Sequence, residues 1–119
     1  MIEIRTATQK DAEAFYGDKP LKSMRAYVAV LDGKPIGIGG VFREEHMHVA
    51  FSEMKDEMRK YPKDIVRGYY KIFEIIQRYN IVYAIANKKE NNARKLITRL
   101  GFKLAEINSE GEEVYVWHN

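Results

Sequence analysis

The stretch Pro62-Lys-Asp-Ile-Val-Arg-Gly-Tyr-Tyr-Lys-Ile-Phe-Glu-Ile-Ile-Gln-Arg-Tyr-Asn-Ile-Val-Tyr-Ala-Ile-Ala86 carries two hydrophobic patterns back to back. Ile65, Tyr69, Ile72, Phe73, Ile76 and Tyr79 recur at three- and four-residue intervals while Arg67, Lys71, Glu74 and Arg78 fall largely elsewhere, which predicts a long amphipathic helix. Pro62 suits its first turn, where a missing amide hydrogen costs nothing, and Asp64 suits the positive end of the helix dipole. Asn80 is expected to stop it. The run Ile81–Ala86 is apolar throughout and lacks polar alternation, so it reads as a strand buried on both faces, parallel to the strand before the helix.

Upstream, Ile2 and Ile4 share one side of an extended segment, and Thr8 offers a hydroxyl cap to a short helix carrying Ala12, Ala14 and Phe15. The segment from Gly17 to Ser23 is a connector. Arg25 to Leu31 is a strand closed by Asp32-Gly33, a strong hairpin signal, and its partner begins near Pro35-Ile36. Glycines 37, 39 and 40 inside that partner point to a bulge or a close backbone approach. A further strand from His46 to Phe51 places Met47, Val49 and Phe51 on one face and His46, His48 and Ala50 on the other. Downstream, Ala93, Leu96, Ile97 and Leu100 form the stripe of a second helix ending at Gly101, followed by a hairpin around Ser109-Glu-Gly111.

These elements fill one domain, residues 1–119, with 45% hydrophobic and 31% charged residues, a balance that excludes a disordered or fibrous chain. The formal charge of +3 gives weak attraction to phosphate and does not by itself mark a nucleic-acid binder. Cysteine is absent, which removes disulfides and thiolate chemistry. No apolar run approaches the roughly 20 residues of a membrane span, and the N-terminus lacks a signal layout, so a soluble, unexported protein is expected.

Strand, helix, three antiparallel strands, helix, strand, helix and two strands is an order that resembles the GNAT (GCN5-related N-acetyltransferase) fold. The segment Asn91-Asn-Ala-Arg-Lys-Leu-Ile-Thr-Arg-Leu-Gly-Phe102 is similar to that family's Asn-x-x-Ala-x-x-Leu-Tyr-x-x-x-Gly-Phe pattern, with Ala93, Leu96, Gly101 and Phe102 in register. The resemblance implies an α+β domain with a mixed, mostly antiparallel sheet, whose central parallel strands splay between flanking helices. It further implies transfer of acetyl from acetyl-coenzyme A to an amine, with the pyrophosphate captured at the start of the long helix.

On that reading the strand Val49, Ala50 and Phe51 supplies backbone donors, and Arg59, Lys60, Lys63 and Asp64 stand where the phosphate loop belongs. Asn87 and Asn92 offer nearby amides. Glu53, Glu45 and His48 are the candidate bases, with Glu44 beside them. His46 and His48 have metal-compatible spacing, but no third ligand is apparent and no metal is expected.

Two departures stand out. The glycines of the family's phosphate loop are missing between Phe51 and Ile65, where Pro62 also deletes an amide, and the family's tyrosine acid corresponds to Ile97 while its asparagine falls at Glu90. The sequence therefore also fits a catalytically silent domain of the same fold working through protein or nucleic-acid contacts. Short degenerate members of tailed phages, including internal virion proteins, resemble it in brevity and in the non-glycine loop. Such kinship implies residence in a cytoplasm, a host's cytoplasm or a virion.

Overall fold

The computed structural model describes residues 1–17, 23–86, 95 and 97–119. Its elements are β1 (Ile2–Thr6), α1 (Gln9–Tyr16), β2 (Met24–Leu31), β3 (Lys34–Glu44), β4 (Met47–Met54), α2 (Pro62–Ile76), β5 (Ile81–Ala86), β6 (Lys103–Ile107) and β7 (Glu113–His118), with a 3-10 turn at Asp56–Lys60 between β4 and α2. Lys95 and residues 97–99 are helical. Ala93, Leu96, Asn87 and Asn92, with the rest of the asparagine-rich segment, lie outside the described residues.

The strands form one sheet in the order β1-β2-β3-β4-β5-β7-β6, with β4 and β5 its only parallel neighbours among the described strands. The hairpin joining β2 and β3 turns on Asp32 and Gly33, both at positive φ (51° and 79°), as a two-residue primed turn requires. A register shift between Ala29 and Val30 gives β3 the bulge expected from its glycines.

β1 is tied to α1 by charge. Asp11 accepts two bonds from the Arg5 guanidinium, at 2.6 and 2.9 Å, and completes a reciprocal cap with Thr8. The hydrogen bonds from Arg5, reinforced by those from Thr8, hold the Asp11 carboxyl down at about 2 against an ordinary 3.8. The stability it contributes is therefore complete above pH about 4 and disappears as pH falls through about 2. Asp11→Ala is expected to cost about 1–2 kcal/mol. Thermal melts between pH 2 and 6 should show a shallower acid limb in the variant, and parallel acid limbs would refute this role.

α2 covers one face of the sheet. Ile72, Ile75 and Ile76 pack with Val41, Val82, Ala84, Ala86 and Trp117 in the largest core cluster, which Tyr69 flanks from the helical stripe; the helix ends at Ile76 with Gln77 as its cap instead of at Asn80, so Tyr79 reaches the same cluster from the turn that follows. α1 covers the opposite face over β2 to β4 only, where Ala12, Phe15 and Tyr16 meet Ala26, Ile38 and Phe51. The expectation that Ile81–Ala86 is buried on both faces is corrected by this arrangement. Val82, Ala84 and Ala86 are buried, but Ile81 and Ile85 are 41% and 51% exposed, because α1 stops short of β5. An uninterrupted apolar run cannot reveal which face lacks a partner.

At the far end, Gly101 (φ 102°) bonds back to the Thr98 carbonyl and Phe102 to that of Ile97. This is a Schellman stop, with the positive φ that glycine accepts without a Cβ penalty. Among the described residues, no helix is long and apolar enough to cross a membrane.

Candidate functional site

Among the described residues, β4 and β5 pair only through Val49 with Tyr83 and Ala50 with Ala84. Past that point β4 continues to Met54 paired with β3, and β5 continues to Ala86 paired with β7. Strand backbone groups project alternately to the two sides, so the two facing edges carry N–H and C=O groups without ladder partners among the described residues. The gap opens toward the end of β4 from which the chain enters α2.

The start of α2 is built from the same departures that the sequence displays. Met58 is buried against Ile2, Ala29 and Ile36, which anchors the 3-10 turn, and Tyr61 precedes Pro62 without a side-chain cap. Pro62 has no amide, that of Ile65 bonds the Tyr61 carbonyl at 3.0 Å, and those of Lys63 and Asp64 stand in the first turn ahead of the intrahelical ladder. The strand runs through Ser52, whose hydroxyl lies 2.9 Å from that of Tyr69 on α2.

The two faces of β4 differ. On the α2 side, a cavity of about 50 Å³ is lined by Gly37, Gly39, Met58, Gly68 and Ile72 and reaches Ser52. On the α1 side, a hollow of about 420 Å³ is lined by Phe15, Tyr16, Glu53, Met54, Lys55 and Arg59. There the Tyr16 hydroxyl donates to the Glu53 carboxylate. Burial first, and then Glu53, push the Tyr16 phenol above its ordinary range, so it stays protonated.

The candidate bases separate along β4. Glu53 lies at the gap, whereas Glu45 sits in the turn before the strand at a φ of 54°. With about 3.3 Å per residue, that places it more than about 20 Å away. His48 points to the α2 side and stacks on Tyr79 at 4.2 Å between ring centroids, a packing contact away from Glu53. His46 is in the turn outside β4. Val49 and Ala50 make the last rungs to β5, and Phe51 begins the open edge.

Of the expected phosphate ligands, Arg59 shares the hollow with Glu53 and pairs with Asp56 at 3.6 Å. Asp64 pairs with Arg67 at 3.1 Å. Lys60 and Lys63 are exposed at either side of the α2 start. Exposed pairs of this kind contribute little, about 0–1 kcal/mol, so Arg59 is easily diverted to another anion. Among the described residues, no group of acidic and histidine side chains could hold a metal.

Sequence reasoning did not single out Tyr16, and it gave Tyr69 only a packing role. Tyr69 does pack on the core with its ring, while its hydroxyl reaches the gap. A tyrosine has an apolar body and a polar tip, and periodicity registers only the body.

No protein-family model and no curated protein matches the chain. Solved structures do. An acetyltransferase from Streptococcus agalactiae 2603 superposes with a TM-score of 0.69 at 11% identity, over 99% of this chain and 98% of the other. A GNAT-family acetyltransferase from Streptococcus pneumoniae gives 0.69 at 14% identity, covering both chains fully (100%). The fold is that of the GNAT acetyltransferases. The aminoglycoside acetyltransferase AAC(6')-Ib, in complex with coenzyme A and kanamycin, shares this GNAT fold with a TM-score of 0.56 at 11% identity, over 100% of this chain and 95% of its own. At such identities the likeness fixes the GNAT topology, and the chemistry has to be argued from the residues of this chain.

Proposed function

We propose that this chain is a coenzyme-A-dependent N-acetyltransferase, moving acetyl from acetyl-coenzyme A to a primary amine. The observation that carries this reading is the parting of β4 from β5 after two rungs, immediately before α2. Backbone donors freed along Phe51–Met54 are placed to meet the thioester oxygen as negative charge develops on it. The amides of Lys63 and Asp64, with Lys60 and Lys63, face the pyrophosphate, and Asn87 and Asn92 remain candidates for further polar contacts.

Glu53 takes the proton as the amine nitrogen attacks the carbonyl carbon and the carbon–sulfur bond breaks. Tyr16 positions Glu53 by donating to it and, being held protonated, does not compete as a base. The departing thiolate needs a proton that Ile97 cannot supply. The Tyr69 hydroxyl, at the edge of the gap beside Ser52, takes over that role from α2. The reading thus moves the family's tyrosine function from the last helix to the long one.

Calorimetric titration at low salt tests the proposal. Acetyl-coenzyme A and coenzyme A are each expected to bind in the micromolar range, about −8 kcal/mol. Arg59→Ala combined with Lys60→Ala should weaken this about tenfold or more, since a charge-assisted bond is worth about 1.5–3 kcal/mol. An unchanged affinity would move the phosphate site elsewhere. Absence of both heat and thermal shift would favour the second reading, a silent GNAT domain acting through other macromolecules, which the glycine-free connection and Pro62 support.

A further inference from the structure

Phe51, Glu53 and Lys55 stand at alternate positions and share the α1 face of the sheet. Lys55 lies just past β4 but continues its geometry, since its N–H bonds the Ile36 carbonyl at 2.8 Å. On this face Glu53 meets Tyr16, and the Lys55 ammonium lies over the Phe15 ring, 5.2 Å from its centroid. Alternate strand residues are spaced about 7 Å apart. The hollow lined by Glu53 and Lys55 thus has a carboxylate at one station and an ammonium at the next, with Phe15 as its apolar wall and with Arg59, paired to Asp56, also in its lining.

We infer that the acceptor is a small zwitterion of the amino-acid type, with a primary amine and a carboxylate on one carbon and an apolar body. This deepens the acyl-transfer reading and rests on it. The amine goes to Glu53 and the carboxylate to Lys55, while the body lies against Phe15. Charge sequence selects this class: a polyamine would bring a second cation against Lys55, and a plain amine would offer the Lys55 ammonium no counter-charge.

Lys55 could otherwise be counted among the phosphate-binding cations, and the experiment separates the two roles. Nuclear magnetic resonance titrations of the whole protein would compare L-phenylalanine with phenethylamine, which differ only by the carboxylate. Phenylalanine is expected to bind about tenfold more tightly or better, as one charge-assisted contact implies, with the largest shifts at Tyr16, Glu53 and Lys55. Lys55→Met, which keeps the stem over Phe15, should abolish that preference and leave coenzyme A affinity unchanged. Equal binding of the two ligands, no binding of either, or a preference that survives in Lys55→Met would each overturn the inference. Loss of coenzyme A affinity in Lys55→Met would do the same by assigning the lysine to the phosphates. Should the wild-type chain not bind coenzyme A, the transferase reading falls separately, and the phenylalanine titration still decides what the hollow recognises.

Discussion

Glu53→Gln is expected to lower kcat for acetyl transfer by about a hundredfold or more, the usual contribution of a positioned general base. Coenzyme A affinity should not change, because the substitution keeps the shape of the side chain and Glu53 faces α1 instead of the α2 start. Glutamine can still accept from Tyr16, so folding should be retained and a thermal melt should match that of the parent. Glu45→Gln and His48→Gln serve as comparisons. Both residues lie away from the gap, one in a turn and one stacked on Tyr79, so neither should slow transfer comparably. Full activity in Glu53→Gln would remove the residue from the mechanism. A comparable loss in His48→Gln without loss of stability would require a different base.

The second large effect concerns stability and lies at Gly40. A Cβ built there would overlap the Arg25 carbonyl and the Ala26 backbone of the paired strand β2. Backbone on both sides cannot yield as a flexible side chain would, so Gly40→Ala is expected to cost about 2–4 kcal/mol, in the range of forced overpacking. At Gly37 the nearest atoms to such a Cβ are Ala29 and Met58 side-chain atoms at 3.6 and 3.7 Å, which is ordinary contact. Gly37→Ala should therefore be close to neutral. Paired urea denaturation curves check this, and equal midpoints for the two variants would contradict the packing described for β3.

Gly39 shows why these three glycines could be noticed early but not ranked. Its missing Cβ makes room for Ile72 of α2, whereas that of Gly40 makes room for a neighbouring strand. From the sequence, all three predict only that something comes near. The same limit applies to Ile81–Ala86, whose composition called for a buried strand while the short α1 left one of its faces open. It applies again to the candidate bases. Glu45, His48 and Glu53 lie within one short segment, yet Glu45 falls in the turn before β4 and the extended strand puts His48 and Glu53 on opposite faces.

Local chemistry was sufficient for several features with a fixed spacing or a fixed backbone angle. The Thr8 cap with Asp11, the Asp32-Gly33 turn, the Pro62 helix start and the Gly101 stop could all be read from neighbouring residues, because their energies are decided within one turn of chain. What only the tertiary structure decided was convergence. Tyr16 reaches Glu53 from α1, and Tyr69 reaches Ser52 from α2, so the open edge of β4 acquires hydroxyl groups from two helices on opposite faces of the sheet. Contacts of that kind depend on how far each helix extends over the strands and where two strands cease to pair, quantities set by packing of the whole sheet and carried by no short run of residues.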